Sequence, residues 1–282
     1  MWLVIWFHLV ETFCRVHGIS FAPLTFAKTY ITGPLRLDLG QIGVLLFFYI
    51  SGFIITHVAM REGQIEFGIK RILRIWPPMI AAVLAYAACL YFASALGKSI
   101  DSKTLPTTED LWQTILLAPG IWTGYNPVLP VLWSLWLEIR FSTFTFLLLP
   151  TLKTRSLLAC SLQLICCSLV IATFPVPGFA RPAVLLTLLA PLFMGQVFYL
   201  RWANSISIKI TFVFLAAWLI IGEWALQVDS TPYIADHPVS AWRCLTGLSV
   251  VLLIVSEAKL SMPPFVMRSA DVSYSLYSSI FR

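Results

Sequence analysis

Three groups of ionisable side chains stand out in an otherwise apolar chain. His8 lies in the run M-W-L-V-I-W-F-H-L-V, with Glu11 and Thr12 three and four residues further on. At that spacing all three share one face of a helix. A Glu beside a His can hold one tautomer and raise the basicity of the free ring nitrogen, as a general base requires. Lys70, Arg71 and Arg74 form a basic cluster near one side of a helix, and two guanidinium groups so spaced can grip phosphate oxygens. Glu138 lies about two turns into another apolar run. Ser134 shares its face at i−4 and Phe141 continues it, whereas Arg140 lies on the other side and is not placed to pair with Glu138. A carboxylate at that depth needs a cation, a His or a watery cavity.

Each group also has a plainer reading. His8 can be a hydrogen-bonded residue of a bundle interior. The basic cluster can be a positive flank bound to lipid head groups, and on the residues alone that reading is the stronger. Glu138 can equally be half of a structural ion pair. Ser51-Gly52-Phe53 interrupts an apolar run, where Gly permits close helix approach or a local distortion. The six Cys show no C-x-x-C spacing and lie in or at the end of apolar runs, so they read as small hydrophobes. Cys166 and Cys167 should point to different faces. There is no P-loop, H-E-x-x-H, G-x-S-x-G or dinucleotide fingerprint, and His17, His57 and His237 have no ligand-spaced partner, so no metal and no resident cofactor are expected.

The elements that carry these groups are membrane helices. The 282 residues are 59% hydrophobic and 11% charged, with a mean hydropathy of +0.85. A soluble domain has about 25% charged residues. The net charge of +6 would suggest nucleic acid in a soluble chain; here it fits positively charged membrane-flanking loops, and no nucleic-acid partner is expected. The organising stretch is Gly40 to Pro78: a span at 40–59, a short polar connector, then K-R-I-L-R-I-W-P-P before a span at 77–97. A loop follows at 98–130. It holds an apolar stretch, Leu111 to Gly124, that is too short for an ordinary span and reads as re-entrant, interfacial or a short crossing. Further spans read at 131–152, 156–174, 183–200, 208–227 and 241–256, and a last begins near Val272 with Asp271 as its N-cap. Residues 1–14 are too short for a full span, and no cleavable signal peptide is expected. The fold class is all-α, a polytopic transmembrane bundle of about nine or ten membrane helices in a single domain, 1–282.

Charge sets the orientation. With the 60–76 loop inside, ten of the 19 Lys and Arg fall inside and seven outside, the remaining two being Arg140 and Arg282. The N-terminus is then cytoplasmic, provided 111–124 does not cross.

Five stretches in order change the weight of these readings: W-F-H, then G-V-L-L-F-F-Y-I-S-G-F-I-I-T, F-G-I-K-R-I-L-R-I-W-P-P, L-W-S-L-W-L-E-I-R-F and V-S-Y-S-L-Y. Together they resemble the acyltransferase-3 family of integral membrane O-acyltransferases, which modify bacterial surface polysaccharides and related glycans. The resemblance spans the whole chain. It implies His8 as catalytic base and Glu138 as a supporting catalytic group. It implies an acyl-CoA donor, probed first as acetyl-CoA, at Arg71 and Arg74 with Lys70 beside them. Trp133 and Ser134 match its W-S-L-x-x-E motif and are implied at the substrate. The implied partners are acyl-CoA, a glycan or lipid-linked glycan acceptor and the lipid bilayer, in a multi-pass protein of the bacterial inner membrane. The pattern departs at an Arg expected ten residues before the His, at Leu45 where many members have Asp, and at E-I-R-F-S in place of E-E-Q-F-Y. The terminal V-S-Y-S-L-Y does not run on into a full span, so both ends read as clipped. The alternative reading is a non-enzymatic multi-pass transporter of a lipid-linked or sugar substrate, or an inactive remnant. The lack of an inverted repeat weighs against a transporter.

Overall fold

The computed structural model describes residues 39–97, 105–116, 132–172 and 180–228, with positions 247, 249, 253 and 254. They belong to two compact units, residues 1–246 and 247–282; of the second, the helical positions 247, 249, 253 and 254 are described. The first unit is all helix among its described residues: α1 Leu39–Arg61, α2 Gln64–Ala95, α3 Thr108–Ile115, α4 Leu132–Thr154, α5 Ser156–Ala172, α6 Ala180–Trp202 and α7 Ile208–Val228. Three of them, α1, α2 and α4, are long and apolar enough to cross a membrane. The protein is an all-α membrane helix bundle. Large apolar side chains stay exposed on its outer faces, among them Ile50, Leu84, Leu147, Leu169 and Ile220, as lipid-facing residues should.

The core is built on α6, which packs against α1, α7, α5 and α4. A pair of glycines sets the closest crossing. A Cβ on Gly52 would fall on the Leu192 carbonyl of α6, and one on Gly195 would fall on the Tyr49 carbonyl of α1. Small residues let membrane helices bring their backbones together, where dispersion and packing replace the missing hydrophobic drive. Thr56 sits one turn beyond, buried, donating its hydroxyl to the Gly52 carbonyl at 2.7 Å. Deeper in, Phe193 of α6 stacks on Trp218 of α7 at 4.6 Å and meets Phe141 of α4 edge-on at 5.2 Å. Gln196 and Gln163, both buried, join α6 to α5 by an amide hydrogen bond of 2.7 Å.

Several helix ends meet at one end of the bundle. Lys153, at the end of α4, donates to the Glu62 carbonyl between α1 and α2. His57 of α1 packs edge-on against Tyr199 and Trp202 of α6. Arg61, Lys153, Arg155 and Arg201 therefore gather at the same end, the grouping the charge pattern predicts.

Two sequence expectations are corrected. The polar connector and the span at 77–97 are one 32-residue helix, α2, with Pro77 and Pro78 in its interior. It starts at Gly63, whose N–H is accepted by the Glu66 carboxylate at 3.4 Å, so the polar residues after it belong to a helix and not to a loop. The two prolines look like a helix start because Pro suits a first turn; in the interior they leave the Leu73 and Arg74 carbonyls without their i+4 donors. In the 98–130 segment the described helix is the eight-residue α3, which takes in the first five residues of the apolar stretch 111–124, while positions 117–124 lie outside the described residues. Thr107 caps it, accepting from the Asp110 N–H at 3.1 Å, while the Asp110 carboxylate accepts from the Thr107 N–H at 2.8 Å. Cys166 and Cys167 do face apart, one exposed and one buried, but Cys166 and Cys89 lie on outer faces and not in the core. The short apolar run at 1–14, the last span beginning near Val272, most of 241–256, and the Asp271 cap lie outside the described residues.

Gly52→Ala and Gly195→Ala should each lower the melting temperature of the detergent-solubilised protein by several degrees, the effect of about 1–3 kcal/mol of overpacking. Unchanged melting in both variants would mean that α1 and α6 do not cross at these residues.

Candidate active site

Helix α2 turns one narrow row of residues inward: Phe67, Arg71, Ile75, Met79, Val83 and Ala87, each four positions after the last. Arg71 is the charged member of that row and is 8% exposed. Its Nη1 donates to Glu138 Oε1 of α4 at 2.9 Å, with side-chain exposures of 10% and 20%. The Phe67 ring lies under the guanidinium, 5.6 Å from its centre to the centroid. The cation that Glu138 requires is thus Arg71, 67 residues away in sequence.

A sequence of contacts holds α2 antiparallel against α4 and fixes this pair. At the basic end Lys153 reaches the Glu62 carbonyl. Next, Gln64 Nε2 donates to the Phe146 carbonyl at 2.8 Å. That carbonyl would otherwise bond the N–H of residue 150, and residue 150 is proline. One turn on, Gly68 faces the Phe146 ring so closely that a Cβ would lie 2.9 Å from Phe146 Cε2. Arg71 and Glu138 follow. Glu138 is 15 residues before Lys153, about 22 Å along the helix, and Arg71 is nine residues after Glu62, about 14 Å. A hydrocarbon core is about 30 Å thick, so both measures put the pair inside it and not at its edge.

The basic cluster is therefore divided. Lys70 and Arg74 point to exposed faces of α2 while Arg71 turns in. Lys70 is held between two carboxylates, Glu66 at 2.6 Å and Glu62 at 2.9 Å. The sequence expectation of three residues acting from one side gives way to one inward guanidinium, one neutralised lysine and one outward arginine. Ser134 stands one turn before Glu138 on α4, half-buried. Trp133 begins the same helix, but its side chain lies outside the described residues, and so does His8 with Glu11 and Thr12. Ser142 was missed in the sequence. It continues the Ser134–Glu138 face one more turn, is 7% exposed, and its hydroxyl finds no hydrogen-bond partner among the described residues. The i+4 spacing was the signal for it. No group of three His, Cys, Asp or Glu able to hold a metal occurs among the described residues.

Chemically the arrangement offers a fixed carboxylate paired with a guanidinium, and a hydroxyl without a partner among the described residues, in a water-poor setting. Such a site can orient an imidazole, accept from a hydroxyl and hold a developing oxyanion. In a membrane helix bundle, a charged pair with a hydroxyl beside it marks a functional site. A family model described as an acyltransferase domain, Acyl_transf_3, matches residues 1–277, and the chain belongs to this acyltransferase-3 family. It is a membrane O-acyltransferase. Nothing among the curated proteins or the solved structures matches the chain.

Glu138→Ala removes the carboxylate that faces the buried Arg71 guanidinium and should destabilise the protein by on the order of 3 kcal/mol. The double variant Arg71→Met/Glu138→Leu should recover most of that loss in thermal unfolding. A double variant as unstable as the sum of its two single changes would show that the pair is not coupled.

Proposed function

We propose that the protein moves an acyl group, acetyl in the first instance, from cytoplasmic acyl-CoA to a hydroxyl of a cell-surface polysaccharide or related glycan. The observation that carries this reading is the Arg71–Glu138 pair, which joins two motifs of the family inside the bundle. In the reaction the acceptor oxygen attacks the thioester carbonyl, an ester C–O bond forms and the C–S bond breaks. His8 takes the hydroxyl proton and returns it to the departing sulfur. Glu138, held in place by Arg71, orients the imidazole or the acceptor. The Ser142 hydroxyl supplies a donor to the carbonyl oxygen as it gains charge.

Arg74, on the outward face of α2, is the better candidate for the donor phosphates. Lys70 is already engaged by Glu62 and Glu66 and serves the shape of the α1–α2 corner. Ser134, one turn before Glu138, and Trp133, its neighbour in the family motif, serve the bound substrate. The end that gathers Arg61, Lys153, Arg155 and Arg201 faces the cytoplasm of a bacterial cell, in the inner membrane, with a cytoplasmic N-terminus.

With radiolabelled acetyl-CoA and membranes carrying the acceptor glycan, His8→Ala should abolish transfer. Arg74→Glu should raise the KM for acetyl-CoA at least tenfold with a smaller change in kcat, the pattern of lost ground-state binding. Glu138→Gln should lower kcat instead. An active His8→Ala protein would end the general-base assignment, and an unchanged KM in Arg74→Glu would return Arg74 to a lipid-facing flank.

A further inference from the structure

The far end of α2 carries a face that the site above leaves unused. α2 has two true ends, the Gly63 cap and the turn at Leu96, where Gly97 takes a positive φ of 76°. Its 32 residues span about 48 Å, against about 30 Å of hydrocarbon. Gln64 lies at the basic end of the bundle. Tyr91, 27 residues on and about 40 Å away, has therefore left the hydrocarbon core on the opposite side. There its hydroxyl donates to the Pro106 carbonyl, and α3 begins two residues later under the Thr107 cap.

α3 is covered at Thr114 and exposed on the opposite face. That face holds Trp112, 63% exposed, with Glu109 one turn before it, Gln113 beside it and Leu116 one turn after. Gln113 Nε2 donates to Glu109 Oε1 at 3.1 Å, which fixes both side chains and leaves their other oxygens as acceptors. The indole adds a broad, rigid surface at little conformational cost. A helix lying on an anionic membrane carries Lys and Arg on its polar side and its aromatics on the other. α3 has Glu109 and Asp110 and no cation, and its exposed Trp shares a face with a carboxylate and an amide. The same lack of cations disfavours a phosphate. The complementary partner is uncharged, rich in hydroxyl donors and able to lie flat on an aromatic ring, which describes a sugar.

We propose that Trp112, Glu109 and Gln113 form a sugar-binding subsite that holds the acceptor glycan at a distance from the reacting hydroxyl. It rests on the glycan acceptor and the cytoplasmic basic end proposed above, which together put α3 on the outer side of the membrane. One sugar ring stacks on the indole, and its hydroxyls donate to Glu109 and Gln113. Arg71 lies 20 residues before Tyr91, about 30 Å along α2, so a single sugar unit does not reach both places. The subsite therefore acts on a polymer. It holds the chain at one point and raises the local concentration of its other units at the Arg71–Glu138 site.

The full chain, in nanodiscs of phosphatidylethanolamine and phosphatidylglycerol, is assayed with radiolabelled acetyl-CoA and either the surface polysaccharide of the source cell, freed of its esters, or a single repeat unit of it. Trp112→Ala should raise the KM for the polysaccharide at least tenfold and leave the KM for acetyl-CoA unchanged. Trp112→Phe, which keeps an aromatic face, should fall between, and Glu109→Ala should act in the same direction. The single repeat unit should respond to none of them. An active protein whose polysaccharide KM ignores Trp112→Ala overturns the subsite. If the wild type transfers nothing, the acyl-transfer reading fails, and retention of the nanodiscs on immobilised polysaccharide decides the subsite by itself. Retention lost in Trp112→Ala supports it; equal retention of both proteins, or of neither, overturns it. Fluorescence tests lipid as the occupant. The emission that Trp112→Phe removes should be quenched by aqueous acrylamide. Quenching by brominated acyl chains instead would make Trp112 a lipid anchor and overturn the proposal.

Discussion

The ion pair between Arg71 and Glu138 decides how α2 can lie against α4. Desolvating a carboxylate or a guanidinium costs several kcal/mol for each ion, and mutual attraction offsets it only with good geometry. At 2.9 Å and with little exposure, neither side chain can be moved away without removing the opposite charge from the other. Such a pair adds little net stability compared with well-packed apolar residues, so its presence is better explained by position and charge than by strength. It holds a carboxylate oxygen at a fixed place in the bundle, with Ser134 and Ser142 a turn to either side.

The rest of the bundle supports that fixed point in two ways. On one side α6 forms a rigid spine, through the Gly52 and Gly195 backbone approach, the Phe193–Trp218 stack and the Gln163–Gln196 bond. On the other side α2 is held along α4 by contacts that alternate in kind: a charged end, an amide on a carbonyl, a glycine on a ring, then the ion pair. Much of α2 beyond Arg71 faces outward and carries Leu84 and Phe92 exposed, which suits lipid contact.

Much of this was legible in the sequence, within definite limits. Apolar runs place α1 and α4–α7 to within a few residues, since hydropathy in a membrane protein reports a solvent requirement and not a weak propensity. That Glu138 needs a cation could be read from its depth. Which cation could not, because a pairing across 67 residues is set by helix docking and leaves no local trace. Gly52 announced a close approach, but its partner Gly195 sits in an unremarkable M-G-Q. The start of α2 was misread because Glu62 to Lys70 is polar enough to look like a connector, and because Pro77-Pro78 imitates a helix start. The basic cluster was read as one unit because a three- or four-residue spacing puts side chains within 60° of one another; the boundary between inside and outside falls between Arg71 and its neighbours, and composition cannot locate that line.

Pro150 has a consequence for how the protein is made. A helix entering the bilayer alone satisfies its own backbone, and that self-sufficiency is what allows insertion before assembly. With a proline at position 150, α4 arrives carrying a Phe146 carbonyl that its own chain does not satisfy. The group that completes it, the Gln64 amide, belongs to a helix synthesised earlier and already in place. The defect thus acts as a timing device: α4 gains a reason to seek α2 before any later helix is available, and the first docking it favours is the one that brings Glu138 to Arg71.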